Sequence, residues 1–430
     1  MPEHWANWSR EQHCAPERIE RPQSEDAVAE AVRRAVAEGR RVRVSASGHS
    51  FTDIACTDDV MLRLDALDDV GSVEGELVEV GAGITLHRLG KELADRGLAM
   101  ENQGDVDQQT LAGALATATH GTGGRFGNLS SRVVGVRLVD GSGEPRELTG
   151  GDDLRAARVS LGALGAFSAV TLRCVPAFTI HRLDEPRAID DVLPRLDELV
   201  DANDHWEAFV MPYTRRALTL TSERTDSEPR PPGRAEAFLR DVVLENAVLG
   251  LFCRAGRLAP AAIPWLNRRL ASLLGAAEHL DASNRVYANT RIVRFTEMEY
   301  AVPRERAAEA LERVLALIER RRLPIGFPIE LRVTAADDAL LSTAHERATA
   351  YIAVHQYRGM EFETYFRAVE AIMDEYRGRP HWGKRHYQTA ATLAPRYPEW
   401  ERFAAARRRF DPEGRFENDY LRRVLGPVGG

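Results

Sequence analysis

Ser45-Ala46-Ser47-Gly48-His49-Ser50-Phe51 is the stretch that decides how this chain is built. It closes an apolar β run, Arg41–Ala46, with small side chains and one glycine. A strand that ends this way exposes several unencumbered backbone N–H groups, a nest suited to a pyrophosphate. His49 sits in the middle of that nest. The same residues would also serve as a plain strand-to-loop turn with a surface histidine. There is no G-x-G-x-x-G here, so the Rossmann mode of phosphate binding is not supported.

Outward from this turn the chain alternates helix and strand. Ser24 caps a helix with Glu25 and Asp26 in its first turn, Val28, Val32 and Ala35 on one face, and Gly39 at its end. Further strands are expected at Val60–Leu64, Leu77–Val80, Val133–Val139 and Phe167–Val175, and a helix at Leu86–Arg96. After Pro176 the character changes. Helices are expected at Ile189–Val200, across Ala235–Leu274, at Pro303–Arg322 with proline in the first turn, near Glu361–Tyr376, and at Pro398–Arg409. Strands are expected at Trp206–Met211, Ala217–Thr221, Thr290–Phe295, Ile329–Val333 and Tyr351–Gln356. Glu223–Gly233, polar and carrying Pro229, Pro231 and Pro232, reads as a mobile loop. The boundary falls near residue 178, with an α+β lobe on each side: 1–178 and 179–430.

Two more clusters could carry chemistry. Gly104-Asp105 is followed by Thr110–Gly124, a run of Ala, Gly and Thr that includes Gly113, Thr117, Thr119, His120, Gly121 and Gly123. A helix with so little bulk admits a flat ligand or another backbone; tight helix–sheet packing is the competing use. In Ile329-Glu330-Leu331-Arg332, strand period puts Glu330 and Arg332 on one face, where a carboxylate and a guanidinium can bind polyol hydroxyls. Alternatively they form a surface ion pair worth at most ~1 kcal/mol. His355 follows on another strand. Lys384 lies in His381-Trp382-Gly383-Lys384, and only it and Lys91 are lysines among the 57 basic residues.

Composition removes several classes. The chain has 430 residues, 57 Lys+Arg against 65 Asp+Glu, a net charge of −8 and 44 % hydrophobic residues. That suits a globular protein of two or three lobes. The acidic balance argues against a nucleic-acid or anionic-membrane partner, which needs a basic face. No apolar run nears the ~18 residues of a membrane span; the most apolar, Ala247–Leu251, is short and followed by Arg254 and Arg257. The N-terminus has no signal core. Cys14, Cys56, Cys174 and Cys253 are far apart, with no disulfide framework and no metal site implied. A cytoplasmic chain is the default, with membrane association left open.

Six segments, in this order, resemble one known family: Arg43–Phe51, Gly113–Gly123, Ser160–Gly165, Glu330–Arg332, His381–Lys384 and Phe416–Leu425. They resemble the aldonolactone oxidoreductases of the vanillyl-alcohol-oxidase flavoprotein superfamily, which include L-gulono-1,4-lactone dehydrogenase and oxidase, D-arabinono-1,4-lactone oxidase and alditol oxidase. The resemblance runs from about Asn7 to the C-terminus. It implies an α+β, two-lobed FAD-binding domain over 1–178 and a substrate (cap) domain over 179–430, whose tail returns towards the flavin. It implies FAD held by Ser45, Ala46, Ser47, Gly48, His49, Ser50, Phe51, Gly104, Thr110, Gly113, Thr117, Thr119, His120, Gly121, Gly123, Val170 and Lys384. In many members the histidine at position 49 is bonded to the flavin 8-methyl carbon. A second, cysteinyl link is not expected, because His120 stands where such members carry cysteine.

The implied reaction oxidises a sugar lactone, with hydride passing to flavin N5. Arg332 orients substrate oxygens, Glu330 fixes a hydroxyl, Lys384 stabilises the reduced flavin, and His355 is the candidate base. Asp105 departs from the alditol oxidases, which carry a small hydroxyl residue there, and so favours a lactone. Gly104 beside it leaves a bare position through which O2 could reach the ring. The electron acceptor, O2, a cytochrome or a quinone, stays open. The competing readings are an alditol or carbohydrate oxidase of the same superfamily, a non-catalytic flavin-binding electron-transfer subunit, and a cofactor-free α+β protein.

Overall fold

The computed structural model describes residues 4–233, 247–288 and 291–429. Arg18–Glu20, Val42–Ser45 and Val60–Arg63 form a three-stranded parallel sheet with Val60–Arg63 in the centre. The helix Glu25–Ala37 crosses between its outer strands. Ser24 Oγ accepts from the Ala27 amide, and Val28, Val32 and Ala35 are fully buried against Val42, Val60 and Leu62. A second, antiparallel sheet runs in the order Pro145–Leu148, Val133–Val139, Ala166–Arg173, Leu77–Gly81, Val70–Glu74.

The third sheet has eight antiparallel strands, all after residue 178. Their order is Ala277–Ala282, Thr179–Ala188, Arg216–Thr225, His205–Met211, Ile329–Thr334, Thr349–Tyr357, Phe295–Pro303, Arg379–Pro380. Strand alternation sorts its two faces. Trp206, Val210, Met298, Tyr300, Leu331 and Ile352 point into a core with the helices Ala307–Arg321 and Glu363–Glu375. The residues between them, Glu207, Glu297, Glu299, Glu330, Arg332 and His355, point the other way. They are buried or nearly so and face the first two sheets. The tail crosses back: Leu340, Trp382, Leu393, Phe403, Tyr420 and Val424 pack in one core with Val80, Leu115 and Leu164.

Several elements differ from expectation. No strand forms over 291–294, and Thr290 lies outside the described residues; the strand starts at Phe295 and runs to Pro303. Residues 291–294 instead carry Arg291 into the charged face and set Val293 against Gly250, so tertiary contacts override a β-favouring local sequence. Pro303 therefore ends a strand and does not open the next helix, which begins at Ala307. The expected helical run over Ala235–Leu274 is two helices, Leu249–Leu258 and Ile263–Leu273, broken at Pro260; residues 234–246 lie outside the described residues. The small-residue helix covers only Leu111–Ala116, because glycine and threonine beyond it hold a helix poorly. Strand pairing extends to Thr225, so the polar loop starts later than expected.

Candidate active site

Two cavities meet at His49. One, of about 1140 Å³, runs along Ser45–Ser50, Ala82–Gly83, Thr110–Gly113, Thr117 and Ser160–Gly162. The other, of about 870 Å³, is lined by Trp8, Phe51, Asp107, Arg291, Phe295, Glu297, His381 and Lys384. His49, Ser50, Gln109 and Thr117 line both, so they form one continuous cleft.

The first part of the cleft is made of backbone. Gly48 has φ +74°, which bends the chain so that successive amides point the same way. Among the described residues nothing accepts from the amides of Ser47, Gly48, His49 and Ser50. Gly113 is obligatory: a Cβ there would lie 2.6 Å from that of Ala46. Gln109 Oε1 is buried without a partner at the junction. Arg43 holds the wall together, donating to the carbonyls of Ile54 (2.6 Å), Leu161 (2.6 Å), Gly162 (3.0 Å) and Phe416 (3.0 Å). A long groove of free amides and little side-chain bulk, with an unsatisfied amide oxygen, fits an extended dinucleotide such as FAD. Trp8 stacks on the His49 ring at 5.8 Å. Burial, and then the charge of Lys384, push the His49 imidazole down to about 4, so it is neutral at physiological pH.

The second part is made of charged side chains from the cap-side sheet. Arg332 reaches Glu207 at 2.6 Å, Glu330 at 3.2 Å and Asp105 at 3.4 Å. Arg291 pairs with Asp105 and lies 3.5 Å from Glu330. Burial raises the Asp105 carboxyl, but Arg332 and Arg291 outweigh it and hold the group well below the carboxylate range. Burial wins at Glu330, whose carboxyl is raised. Lys384 pairs with Glu297, and His355 Nε2 lies 3.5 Å from the same carboxylate. Burial also opposes charge on Glu297, yet Lys384 and His355 bring it down to about 2. Behind them Glu299 meets His120 Nε2 at 3.2 Å, and Tyr351 stacks on His120 at 3.5 Å.

The expected residues fall into three groups. Ser45–Phe51, Thr110, Gly113, Thr117 and Lys384 line the cleft. Glu330, Arg332, Asp105 and His355 converge one layer behind the cleft wall formed by Arg291 and Glu297; Asp105, Arg332 and Glu207 also line a smaller pocket of about 380 Å³. Val170, Thr119, His120, Gly121 and Gly123 lie off the cleft lining. Val170 is fully buried between Val80 and Val136, His120 lies against the Gly121 carbonyl, and the Gly123 amide donates to Val333. Gly104 has a packing reason to lack a side chain: a Cβ would meet the His120 carbonyl at 3.0 Å. Glu207, Arg291 and Glu297 were not singled out from the sequence. Glu297 had a legible signal, alternation within Phe295–Pro303; Arg291 had none.

Comparison with known proteins defines first the class and then the family. The fold matches a crystal structure of cholesterol oxidase from B. sterolicum with a TM-score of 0.82 at 16 % identity, over 99 % of this chain and 97 % of that one. Residues 16–149 match the FAD binding domain family, and residues 170–424 match the D-arabinono-1,4-lactone oxidase family. The chain is 56 % identical to L-gulono-1,4-lactone dehydrogenase of Mycobacterium tuberculosis over 98 % of its length and 99 % of that protein's. It is 33 % identical to L-gulonolactone oxidase of Bos taurus (97 % of both chains) and 30 % identical to an alditol oxidase of Streptomyces sp. (97 % and 98 %). The chain is an FAD-binding protein, and it belongs to the D-arabinono-1,4-lactone oxidase family.

Proposed function

We propose that this protein is an FAD-dependent oxidoreductase that oxidises a CH–OH group of a sugar 1,4-lactone of the L-gulono or D-arabinono type. One observation carries the reading. The backbone cradle around His49 faces a buried array of carboxylates and guanidiniums, an arrangement suited to a polyhydroxylated substrate held against a flat ring. Bound FAD supplies the hydride acceptor. The domain assignment follows: residues 1–178 hold the cofactor and 179–430 cap it, with the tail packing back on the first lobe.

The chain's own residues then take these roles. His49 is neutral, so its ring nitrogen is available for a covalent bond to the flavin. Arg291 and Arg332 orient substrate oxygens; burial opposes their charge, but Asp105 and Glu330 beside Arg291, and Glu330, Glu207 and Asp105 beside Arg332, outweigh it. Glu330, one layer behind the wall, positions both guanidiniums, lying 3.5 Å from Arg291 and 3.2 Å from Arg332. Lys384 is charged: burial opposes this, but Glu297 and Glu299 hold its pKa above the ordinary lysine value. It places a cation beside His49. His355 is the base. Its Nδ1 lies 3.2 Å from the Pro328 carbonyl, and its Nε2 faces the Glu297 carboxylate at 3.5 Å. The alditol-oxidase alternative is disfavoured by Asp105, whose two arginine partners make it part of a charged lattice and not a lone hydroxyl substitute.

The experiment is anaerobic bleaching of the flavin by a panel of aldonolactones and alditols, followed by reoxidation with O2, cytochrome c or a quinone. Bleaching by lactones and not by alditols supports the reading; the converse selects the alditol oxidase. A flavin that no substrate bleaches selects the non-catalytic alternative. His49→Ala is expected to remove flavin fluorescence from the denatured protein band. Flavin that dissociates from the wild-type protein on denaturation would refute the covalent bond.

A further inference from the structure

Large hydrophobic side chains exposed among the described residues concentrate in one place. Leu251, Leu258, Trp265 and Leu273 stand out from the helices Leu249–Leu258 and Ile263–Leu273, with Leu258 85 % and Leu273 67 % exposed. Leu251 and Leu258 are seven residues apart, so they share a helix face. Trp265 and Leu273 are eight apart and share one on the second helix. The opposite faces are buried. Ile263 packs where Gly256 has no side chain, and Asn267 Nδ2 donates to the carbonyls of Pro212 (3.2 Å) and Ile325 (2.9 Å). The hairpin is thus bolted to the cap-side sheet with its apolar ridge turned outward.

Its charge is as unusual as its exposure. From Ala247 to Ala277 there is no Asp or Glu, while Arg254, Arg257, Arg268 and Arg269 are present, in a chain of net charge −8. The Arg269 guanidinium lies over the Trp265 ring at 5.4 Å. A basic, amphipathic surface with tryptophan and leucine at its crest matches the interface of an anionic bilayer, where apolar groups enter the acyl boundary and arginines meet headgroups.

We propose that the 249–273 hairpin docks this protein on an anionic lipid surface. A second copy of the chain fits less well, because a two-fold contact would set the same arginines against each other. The chain's overall acidity does not oppose docking, since screening confines the interaction to charges within about 10 Å of the surface.

The test is sedimentation of the flavin-loaded protein with vesicles of phosphatidylglycerol and phosphatidylcholine, against phosphatidylcholine alone. The wild-type protein is expected to pellet with the anionic vesicles and to be released by high salt. Arg268→Ala is expected to weaken binding about fivefold. Leu258→Ser with Trp265→Ser is expected to abolish pelleting while flavin absorbance and melting temperature stay unchanged. Trp265→Phe is expected to remove a blue shift in tryptophan emission on vesicle addition. A wild-type protein that stays in the supernatant with both vesicles overturns the proposal, as does a double variant that pellets normally. A dimer in solution that the double variant dissociates, without vesicle binding, assigns the face to a second copy instead.

Discussion

On the His49 side the cleft wall is backbone, with Ser47 and Gly48 contributing free amides and Gly113 an absence of bulk. On the opposite side it is charge, with Arg291, Glu297 and Lys384 backed by Asp105, Glu207, Glu330 and Arg332. The first wall is assembled from short local segments, and its tolerance is steric. The second comes from five separate stretches of chain, and its tolerance is electrostatic. A backbone wall can bind a cofactor of fixed shape. A wall of paired charges can respond to what a substrate presents, because every ion in it has a partner to exchange.

The comparison breaks most visibly at Arg332. Arg332→Leu leaves Glu207, Glu330 and Asp105 without their shared cation. Removing one partner of a buried ion pair costs about 3–5 kcal/mol, and loss of a transition-state donor lowers turnover about 10²–10³-fold. The denaturation midpoint and the anaerobic flavin-reduction rate should therefore both fall, with flavin content unchanged in the folded fraction. An unchanged rate would show that the charged wall is structural only.

Gly113→Val should do the reverse. Its Cβ would lie 2.6 Å from that of Ala46, so the flavin-to-protein ratio should drop to near zero while the distant Arg332 cluster stays intact. Full flavin loading would mean that the wall is not steric.

Acid should separate the walls by pH window. His49 is neutral in the fold, pushed down from 6.5 to about 4, so the unfolded chain binds the extra proton first. Its contribution to stability is complete above about 6.5 and lost as pH falls towards 4. Glu297 is also lowered, from 4.5 to about 2, so its contribution is present above 4.5 and lost between 4.5 and 2. In flavin-free protein, His49→Ala should flatten the upper part of the acid limb and Glu297→Gln the lower part, read by melting temperature against pH. If both variants flatten the same window, the two walls titrate as one.

The smallest effect belongs to the other lysine. Lys91 is exposed and pairs with Asp95 one helical turn away. Lys91→Ala should leave both the melting temperature and the activity essentially unchanged. Lys384, inside the charged wall, should not be so replaceable, and equal tolerance at both would erase the distinction between an exposed lysine and a site lysine.

Much of the first wall was legible in the sequence. The strand before Ser45, the positive-φ glycine at 48 and the small-residue run after Thr110 are local, and local sterics alone dictate them. Glu330 and Arg332 were legible as a same-face pair because a strand's period is two. Their burial was not: as a lone dipeptide pair they read equally as a surface ion pair. Lys384 stood out only because lysine is scarce here. Arg291 could not be found, since it belongs to no regular element and reaches Asp105 across 186 residues. The three consecutive arginines 407–409 do not share a face: Arg407 is buried on Glu417 while Arg409 reaches Asp153, because a helix turns consecutive residues about 100° apart.

By itself, then, the sequence determined the strand–turn cradle, the alternation of the cap-side strands and the order of motifs that marks the family, since each depends on residues near one another along the chain. Only the tertiary structure decided which charges meet. Arg332 has Glu207, Glu330 and Asp105 around it, Lys384 has Glu297, and the 249–273 hairpin keeps its apolar ridge in the open. The strength of a charge pair depends on distance and on exclusion of water, and both are set by packing between segments that the chain holds far apart.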